Sequence, residues 1–277
     1  MKSFSDTQHQ AYTKVLAQNR TEAEAISIAQ MVGIGQKVDA YAAALSPYNV
    51  ANASALQRVA VINDMRMSAD SYLRQSVQEL LPPGVSRAGA LQAAELSGGL
   101  PYSDSNSGFA SALYRNANTG HYTLAFRGTD DFNLGSVGSV GSMAKNWQLT
   151  PDVRASLLQR EGLRSTQYDQ AVDLASTLAA SEIGKKLSFT GHSLGGGLAS
   201  VAAMSTRLNA TTFNASGIHE GTGRLYSFPL RDAPKYVAAY HVIGEGLAAS
   251  QDAIPSRMPQ AIGHRPAYGA AACSTDG

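Results

Sequence analysis

The chain has a single cysteine among its 277 residues, Cys273, so it cannot form an intramolecular disulfide. This favours folding in a reducing compartment, although many exported bacterial proteins also have no disulfides. An excess of charge of one sign is missing as well, because 22 basic residues face 21 acidic ones. The resulting net charge of +1 offers no electrostatic basis for binding nucleic acid, and that function class is excluded from the predictions.

Long apolar runs and metal-ligand patterns are also absent from the sequence. No stretch approaches the roughly 20 apolar residues that cross a bilayer. The polar start, Met1–Gln10, has no apolar segment of the signal-peptide kind, so we expect a cytoplasmic protein or one exported by a leaderless route. The six histidines have no metal-ligand spacing, and phosphate-loop and dinucleotide fingerprints are missing, so no metal or cofactor is expected.

The first 81 residues have the pattern of helices. Thr21 and Glu24 form a capping-box sequence ahead of apolar residues at helical spacing. Ser54 is suited to cap a longer helix that carries apolar residues to about residue 80. The sequence therefore predicts a helical N-terminal region, 1–81, followed by a catalytic domain, 82–277.

Strand patterns alternate with helical ones after about residue 100. The runs 109–115 and 121–127 flank turn-forming residues and predict a β-hairpin. A helix is predicted from about Ser165 to Glu182. Further strands are predicted at 187–190, 211–214, 224–228 and 236–242. Such alternation is typical of an α/β fold with a mainly parallel sheet covered by helices on both faces.

The most informative motif is Gly191-His-Ser-Leu-Gly195, which lies between a short apolar strand pattern and a helical one. In this context G-x-S-x-G is a nucleophile elbow that lifts the hydroxyl of Ser193 above the end of a sheet. Gly191 and Gly195 have no side chains, so strand and helix can approach closely around the serine. The positive N-terminal end of the following helix suits a developing oxyanion. The motif predicts a nucleophilic serine.

A serine nucleophile requires a general base, which follows it in the chain in this architecture. His264 lies on a Gly- and Pro-bounded loop after the last predicted strand and is the preferred base. His192 is adjacent to the nucleophile, His219 is expected to cap a loop, and His241 lies within a strand pattern. These three are the weaker alternatives.

The acid that orients the base has two main candidates. Glu245 follows the 236–242 strand directly, which is where strand-end geometry places such a residue. Asp252 lies nearer to His264, in the segment Asp252–Pro255. Asp232 is a weaker third candidate, since its surroundings are typical of a turn. Position within the fold alone leaves Glu245 and Asp252 both open.

An oxyanion hole requires two backbone N–H groups near the nucleophile. Leu194, directly after Ser193, is expected to provide one of them. The other is expected from the segment Arg127-Gly-Thr129 at the end of the second hairpin strand. Gly128 permits a close approach there, and the hydroxyl of Thr129 can add a further donor.

In this order the motifs resemble those of the class 3, or fungal-type, lipase family of α/β-hydrolases. The segments that carry the likeness are Phe126–Thr129, Asn146-Trp147, Phe189–Gly196, Thr212–Ala215 and Asp252–Pro255. Together they lie within residues 97–268. The resemblance implies a triad of Ser193, Asp252 and His264, with Thr129 and Leu194 around the oxyanion. It also implies cofactor-free activity on acylglycerol or phospholipid esters.

The sequence departs from that family in three places. A Gly/Ser-rich loop, Asp130–Ser142, lengthens the region where the family has a lid, so we expect this loop and residues 143–149 to gate lipid entry. The family's strand-end acid position is taken by Glu245, which keeps Glu245 open beside Asp252. Residues 1–81 have no clear counterpart in the family.

The function predicted from the sequence is a serine carboxylic ester hydrolase, a phospholipase A or lipase, acting on lipid at a membrane surface. The resemblance extends to bacterial lipase-like effectors exported by contact-dependent secretion systems. One alternative is therefore an exported antibacterial phospholipase whose helical region serves delivery or binds a cognate inhibitor protein. Another is a non-catalytic module that retains the hydrolase fold.

Overall fold

The structure is a computed structural model that describes residues 4–22, 25–26, 28–30, 32–33, 36, 53–128, 162–242, 251, 259–265 and 267–268. The helices with defined bounds are α1 Asp6–Leu16, α2 Ala53–Asp70, α3 Ala90–Leu96, α4 Thr166–Ala180, α5 Leu194–Thr206 and α6 Glu220–Leu225. Short 3-10 turns cover Gly184–Lys186 and Leu230–Lys235. Within the described ranges, no helix is both long enough and apolar enough to span a membrane.

Within the residues that the structure describes, eight strands form one mixed sheet. They are β1 Val85–Arg87, β2 Ser103–Asp104, β3 Phe109–Asn116, β4 Tyr122–Phe126, β5 Leu187–His192, β6 Ala210–Phe213, β7 Val237–Val242 and β8 Ala267–Tyr268. The order is β1-β3-β4-β5-β6-β7-β8, with β2 paired to β3 outside this path. The β3–β4 hairpin is antiparallel, and all pairings from β4 to β8 are parallel.

One face of the sheet is apolar and is covered by α4 and α5. The strand residues on this face alternate along the chain, as a half-buried pleat requires. They include Phe126 on β4 and Phe189 on β5, which are fully buried with ring centroids 6.3 Å apart. Leu174 of α4 and Leu198 of α5 pack into the same core. This core fixes the strand and the helix that flank Ser193.

The opposite face of the sheet is largely polar and is covered by α2. The hydroxyl of Thr190 on β5 donates to the backbone carbonyl of Thr211 at 2.8 Å and faces the carbonyl of Asp64 on α2 at 3.4 Å. A small apolar cluster that includes Met67 of α2 and Ala125 of β4 completes the contact. The packing of α2 here is therefore a mixture of hydrogen bonds and a few apolar contacts.

A second apolar cluster lies in the N-terminal part of the chain. Helix α1 begins with a capping box in which Ser5 Oγ accepts from the Gln8 N–H and the Gln8 side chain accepts from the Ser5 N–H. Its buried residues pack against the segment that follows α2. The cluster consists of Ala11, Tyr12, Val15, Ala25, Ile28, Ala29, Val32, Leu73, Val77 and Leu80. The N-terminal helices thus support the loop after α2.

The predicted α/β fold is confirmed, as are the hairpin, the α4 helix and the strands β5, β6 and β7. The predicted strand at 224–228 is wrong. Arg224 belongs to α6, and the chain then turns so that the Phe228 N–H donates to the Gly223 carbonyl at 2.8 Å. This turn places the Phe228 side chain in the apolar core, so the residue is buried without belonging to a strand.

The long helix expected from Ser54 to about residue 80 is shorter than predicted. Helix α2 ends at Asp70, whose carboxylate accepts from the Val77 N–H at 2.8 Å and so stabilises a turning segment. The predicted division at residue 81 stays a prediction. The expected lid, 130–149, lies outside the described residues.

Candidate active site

Ser193 lies at the junction of β5 and α5 with backbone angles φ 56° and ψ −125°. A positive φ at a residue with a side chain is costly, on the order of 1–3 kcal/mol, and persists only where the surroundings impose it. Its N–H donates to Phe213 at 3.1 Å, and its carbonyl accepts from Gly196, Gly197 and Ser216 at 3.0, 3.2 and 2.9 Å. Four hydrogen bonds therefore hold the strained residue.

The hydroxyl of Ser193 makes no capping hydrogen bond to α5, although the residue occupies the N-cap position. Serine at this position ordinarily caps the helix with its side chain. Here the strained backbone turns the side chain away from the first turn of α5. The hydroxyl is thereby left available at the positive end of the helix, which is the arrangement that a nucleophile requires.

Two glycines allow the elbow to pack closely. A Cβ at Gly191 would lie 2.2 Å from the carbonyl oxygen of Gly195. A Cβ at Gly195 would lie 2.2 Å from the carbonyl oxygen of Phe126 at the end of β4. Neither distance is compatible with a side chain, so the two glycines of the motif are required by backbone contacts on both sides of Ser193.

The expected oxyanion residues fall partly within the described structure. Leu194 is the first residue of α5, where backbone N–H groups have no acceptor within the helix. Gly128 lies against the elbow, since a Cβ there would be 2.7 Å from the His192 carbonyl oxygen and 3.4 Å from Ser193 Cβ. The structure thus brings the end of β4 to the nucleophile. Thr129 lies outside the described residues.

The structure does not bring His264 to Ser193. His264 pairs with Ala238, its N–H donating to Val237 at 2.8 Å, and its side chain is exposed. It therefore lies three inter-strand spacings from β5, about 14 Å, and below the level of the elbow. The two candidate acids, Asp252 and Glu245, lie outside the described residues. The base and the acid therefore stay predictions.

The other three histidines have distinct surroundings. The ring of His192 faces Tyr72, and the Nδ1 atom of His219 accepts from the Gly221 N–H at 2.9 Å and caps α6, as expected. His241 lies on β7, level with the elbow in the strand register. Its Nδ1 atom is buried and has no hydrogen-bond partner among the described residues. His241 therefore remains an alternative base.

Gln251 is a site residue that the sequence did not indicate. Its side chain is 2% exposed, donates to the Ala215 carbonyl at 3.0 Å and accepts from the Ala261 N–H at 3.3 Å. Ala215 precedes Ser216, whose N–H donates to Ser193. Gln251, the residue before Asp252, is therefore anchored beside the loop that supports the elbow.

Tyr72 is the second residue that sequence analysis missed. Its hydroxyl accepts from the Gly128 N–H at 3.1 Å and lies 3.3 Å from His192 Nδ1. It comes from the helical N-terminal region, 56 residues before one partner and 120 before the other. No local pattern in the sequence signals a contact across such separations.

No group of three metal-ligating side chains is present in the described portion of the chain. The described part of the site consists of the Ser193 hydroxyl, the backbone N–H groups at the start of α5, and His192 beside the serine. Such a set is suited to nucleophilic attack on an ester carbonyl.

Comparison with known proteins finds matches to this chain. A family model described as phospholipase-like, the Tle-like phospholipase domain, matches residues 63–274. An extracellular phospholipase A1 from Serratia liquefaciens is 34% identical over 166 residues, which cover 58% of this chain and 45% of the relative. The chain therefore spans less than half the length of this curated relative.

One solved structure with a detectable likeness is the extracellular lipase LipA from Serratia marcescens. It is 18% identical, with a TM-score of 0.31, over 57% of this chain and 27% of that one.

Proposed function

This chain belongs to the family of Tle-like phospholipase domains, and from that premise we propose that it hydrolyses carboxylic esters of phospholipids with Ser193 as the nucleophile. The observation that carries the proposal is the strained N-cap serine whose hydroxyl does not cap its helix. The phospholipase A1 activity named for the Serratia liquefaciens relative supports the choice of phospholipid over other esters.

In the proposed reaction the Ser193 hydroxyl attacks the ester carbonyl and loses its proton to a histidine. The Leu194 N–H, with a second donor from Thr129, stabilises the oxyanion. Collapse of the tetrahedral intermediate expels the alcohol, which takes the proton, and leaves an acyl-serine. Water then attacks the acyl group and gives a proton to the same histidine; the fatty acid leaves, and the histidine returns the proton to the Ser193 oxygen.

We propose His264 as the base, because it follows the nucleophile and the acid in the chain order of this architecture. This role requires the imidazole of His264 to come within hydrogen-bond reach of the Ser193 hydroxyl in the enzyme–substrate complex, where catalytic hydrogen bonds tighten. For the acid, the buried anchor Gln251 supports Asp252 over Glu245.

The nucleophile is tested by assaying the purified chain on phospholipid vesicles and on triacylglycerol emulsions. We expect the wild type to release fatty acid faster from phospholipid. Ser193→Ala is expected to lower the rate by at least about 1,000-fold. Ser205→Ala, on the far end of α5, is the matched control, since its hydroxyl has no partner among the described residues. Activity retained in Ser193→Ala would overturn the proposal.

The base is tested with His264→Ala and His241→Ala, each assayed with and without added imidazole. We expect His264→Ala to lose activity and to regain part of it with imidazole, because a free base can enter the vacated space. His241→Ala is expected to retain activity. The reverse result would transfer the role of base to His241.

The binding of a cognate inhibitor protein, which the sequence resemblance suggested, stays a prediction.

A further inference from the structure

The side chain of Tyr72 connects two segments that meet at the nucleophile. Its hydroxyl oxygen accepts from the Gly128 N–H at 3.1 Å, at the end of β4. The same hydroxyl lies 3.3 Å from the His192 Nδ1 atom and 3.5 Å from the His192 carbonyl, to which it donates. The Tyr72 and His192 rings have centroids 6.4 Å apart. The Tyr72 hydroxyl thus connects the end of β4 with the nucleophile elbow.

We propose that Tyr72 is a positioning residue for the oxyanion side of the Ser193 site. The inference rests on the proposed function and names a further residue in it. Tyr72 accepts from the Gly128 N–H and so fixes the Arg127–Gly128 peptide, one residue before Thr129, the expected second oxyanion donor. By bonding His192 of the elbow as well, it sets the distance between the end of β4 and the nucleophile elbow.

The packing around Gly128 supports this role. A Cβ at Gly128 would lie 2.4 Å from the Tyr72 hydroxyl oxygen and 2.7 Å from the His192 carbonyl oxygen. The phenol, the end of β4 and the elbow therefore meet in a space that admits only glycine. Preorganised donors of this kind contribute to catalysis because they need no reorganisation when the oxyanion forms.

A buried ionic cluster holds the loop that carries Tyr72. The Asp70 carboxylate, which is fully buried, accepts from Arg87 at 2.7 Å, from the Tyr114 hydroxyl at 2.8 Å and from the Val77 N–H at 2.8 Å. Arg87 also donates to the Leu73 carbonyl at 3.1 Å. The residues on both sides of Tyr72 are thereby fixed to β1 and β3.

The N-terminal residues hold the same loop from the other side. The Arg20 guanidinium donates to the Tyr72 carbonyl. Gln18 and Gln75 exchange two hydrogen bonds, at 2.9 Å and 3.2 Å. The loop is therefore held at several points, and the orientation of the Tyr72 side chain is preorganised before substrate binds.

The test compares Tyr72→Phe with the full-length wild type on a soluble short-chain p-nitrophenyl ester. We expect kcat to fall by about 10- to 100-fold with KM changed less than about threefold, because the substitution misplaces an oxyanion donor without blocking substrate. The matched control is Tyr102→Phe, whose hydroxyl bonds the Ala93 carbonyl at 3.1 Å at another place in the fold. Its kcat is expected to equal that of the wild type.

A second readout separates positioning from a merely structural role. A boronic acid that forms a tetrahedral adduct with the serine is expected to bind Tyr72→Phe more weakly by the same factor as kcat falls, with Tm nearly unchanged. A kcat within about threefold of the wild type, or a loss of kcat with unchanged boronic acid affinity, would overturn the inference.

The outcomes also separate this inference from the proposed function. If the wild type is active and Ser193→Ala is not, a fully active Tyr72→Phe removes only the role of Tyr72. If the wild type hydrolyses no ester, or Ser193→Ala retains the wild-type rate, both proposals fail.

Discussion

The two faces of the sheet are built from different chemistry. Against α4 and α5 the strands present buried aromatic and aliphatic side chains, and glycines let the backbones meet around Ser193. Against α2 they present hydroxyls such as that of Thr190, and α2 itself contributes the buried carboxylate of Asp70. The apolar face holds the nucleophile by close packing. The polar face holds the loops beside it by directed hydrogen bonds.

This difference indicates which kind of substitution is expected to destabilise each face of the sheet. Close-packed backbones cannot accept an added atom, so the apolar face is sensitive to a single methyl group. A buried polar network is sensitive to the loss of one partner, because the remaining groups are left unsatisfied. Substitutions on the two faces should therefore distinguish stabilisation by close packing from stabilisation by directed hydrogen bonds.

The largest effect is expected from Gly195→Ala on the apolar side. Its Cβ would lie 2.2 Å from the Phe126 carbonyl oxygen, so the elbow or β4 must shift. We expect the free energy of unfolding to fall by about 3 kcal/mol or more, with loss of esterase activity. Gly89→Ala is the control, since a Cβ there meets nothing within 4 Å. Thermal unfolding and ester hydrolysis report both effects, and a stable, active Gly195→Ala would contradict the close packing.

A smaller loss in the free energy of unfolding is expected from Asp70→Asn on the polar side. The substitution leaves Arg87 without the charge of its buried partner. Burial and the Asp70 carboxylate also raise the pKa of Tyr114, which stays a neutral donor to Asp70. We expect urea unfolding to show a loss of about 2–4 kcal/mol. Asp232→Asn, which breaks the solvent-screened pair with Lys235, is expected to leave the free energy of unfolding nearly unchanged. Equal losses would remove the distinction between buried and exposed pairs.

The polar face is also expected to give stability a pH dependence. Burial between α2 and the sheet raises the pKa of Asp64 to about 7, against a smaller opposing effect of the Thr211 hydroxyl. Because the folded state holds the proton more tightly, this contribution to stability is present below about pH 4 and is lost as the pH rises through about 7. Asp64→Asn should flatten the stability profile between these values. A wild-type profile that matches the variant would contradict the burial of this carboxylate.

The elbow could be predicted from the sequence because its determinants are local. Gly191, Ser193 and Gly195 specify the turn within five residues, and the structure shows why each is needed. The apolar patterns of the sequence also predicted the positions of α4 and β5 closely. The strand predicted at 224–228 was wrong because apolar residues in a short turn can reach the core without pairing.

Contacts across large sequence separations could not be predicted in the same way. Tyr72 contacts the elbow because α2 packs on the sheet, and Gln251 contacts Ala215 across a separation of 36 residues. The position of His264 depends on the register at the edge of β7. Propensity and periodicity carry no information about such register.

The most direct measurement of the central claim is the mass of the intact chain after treatment with a fluorophosphonate. The account predicts one phosphonyl adduct, located on the peptide that contains Ser193 and absent from Ser193→Ala. Tyr72→Phe should acquire the same adduct more slowly than the wild type. A folded wild type that acquires no adduct, or acquires it on another residue, would contradict the assignment of Ser193 as the nucleophile.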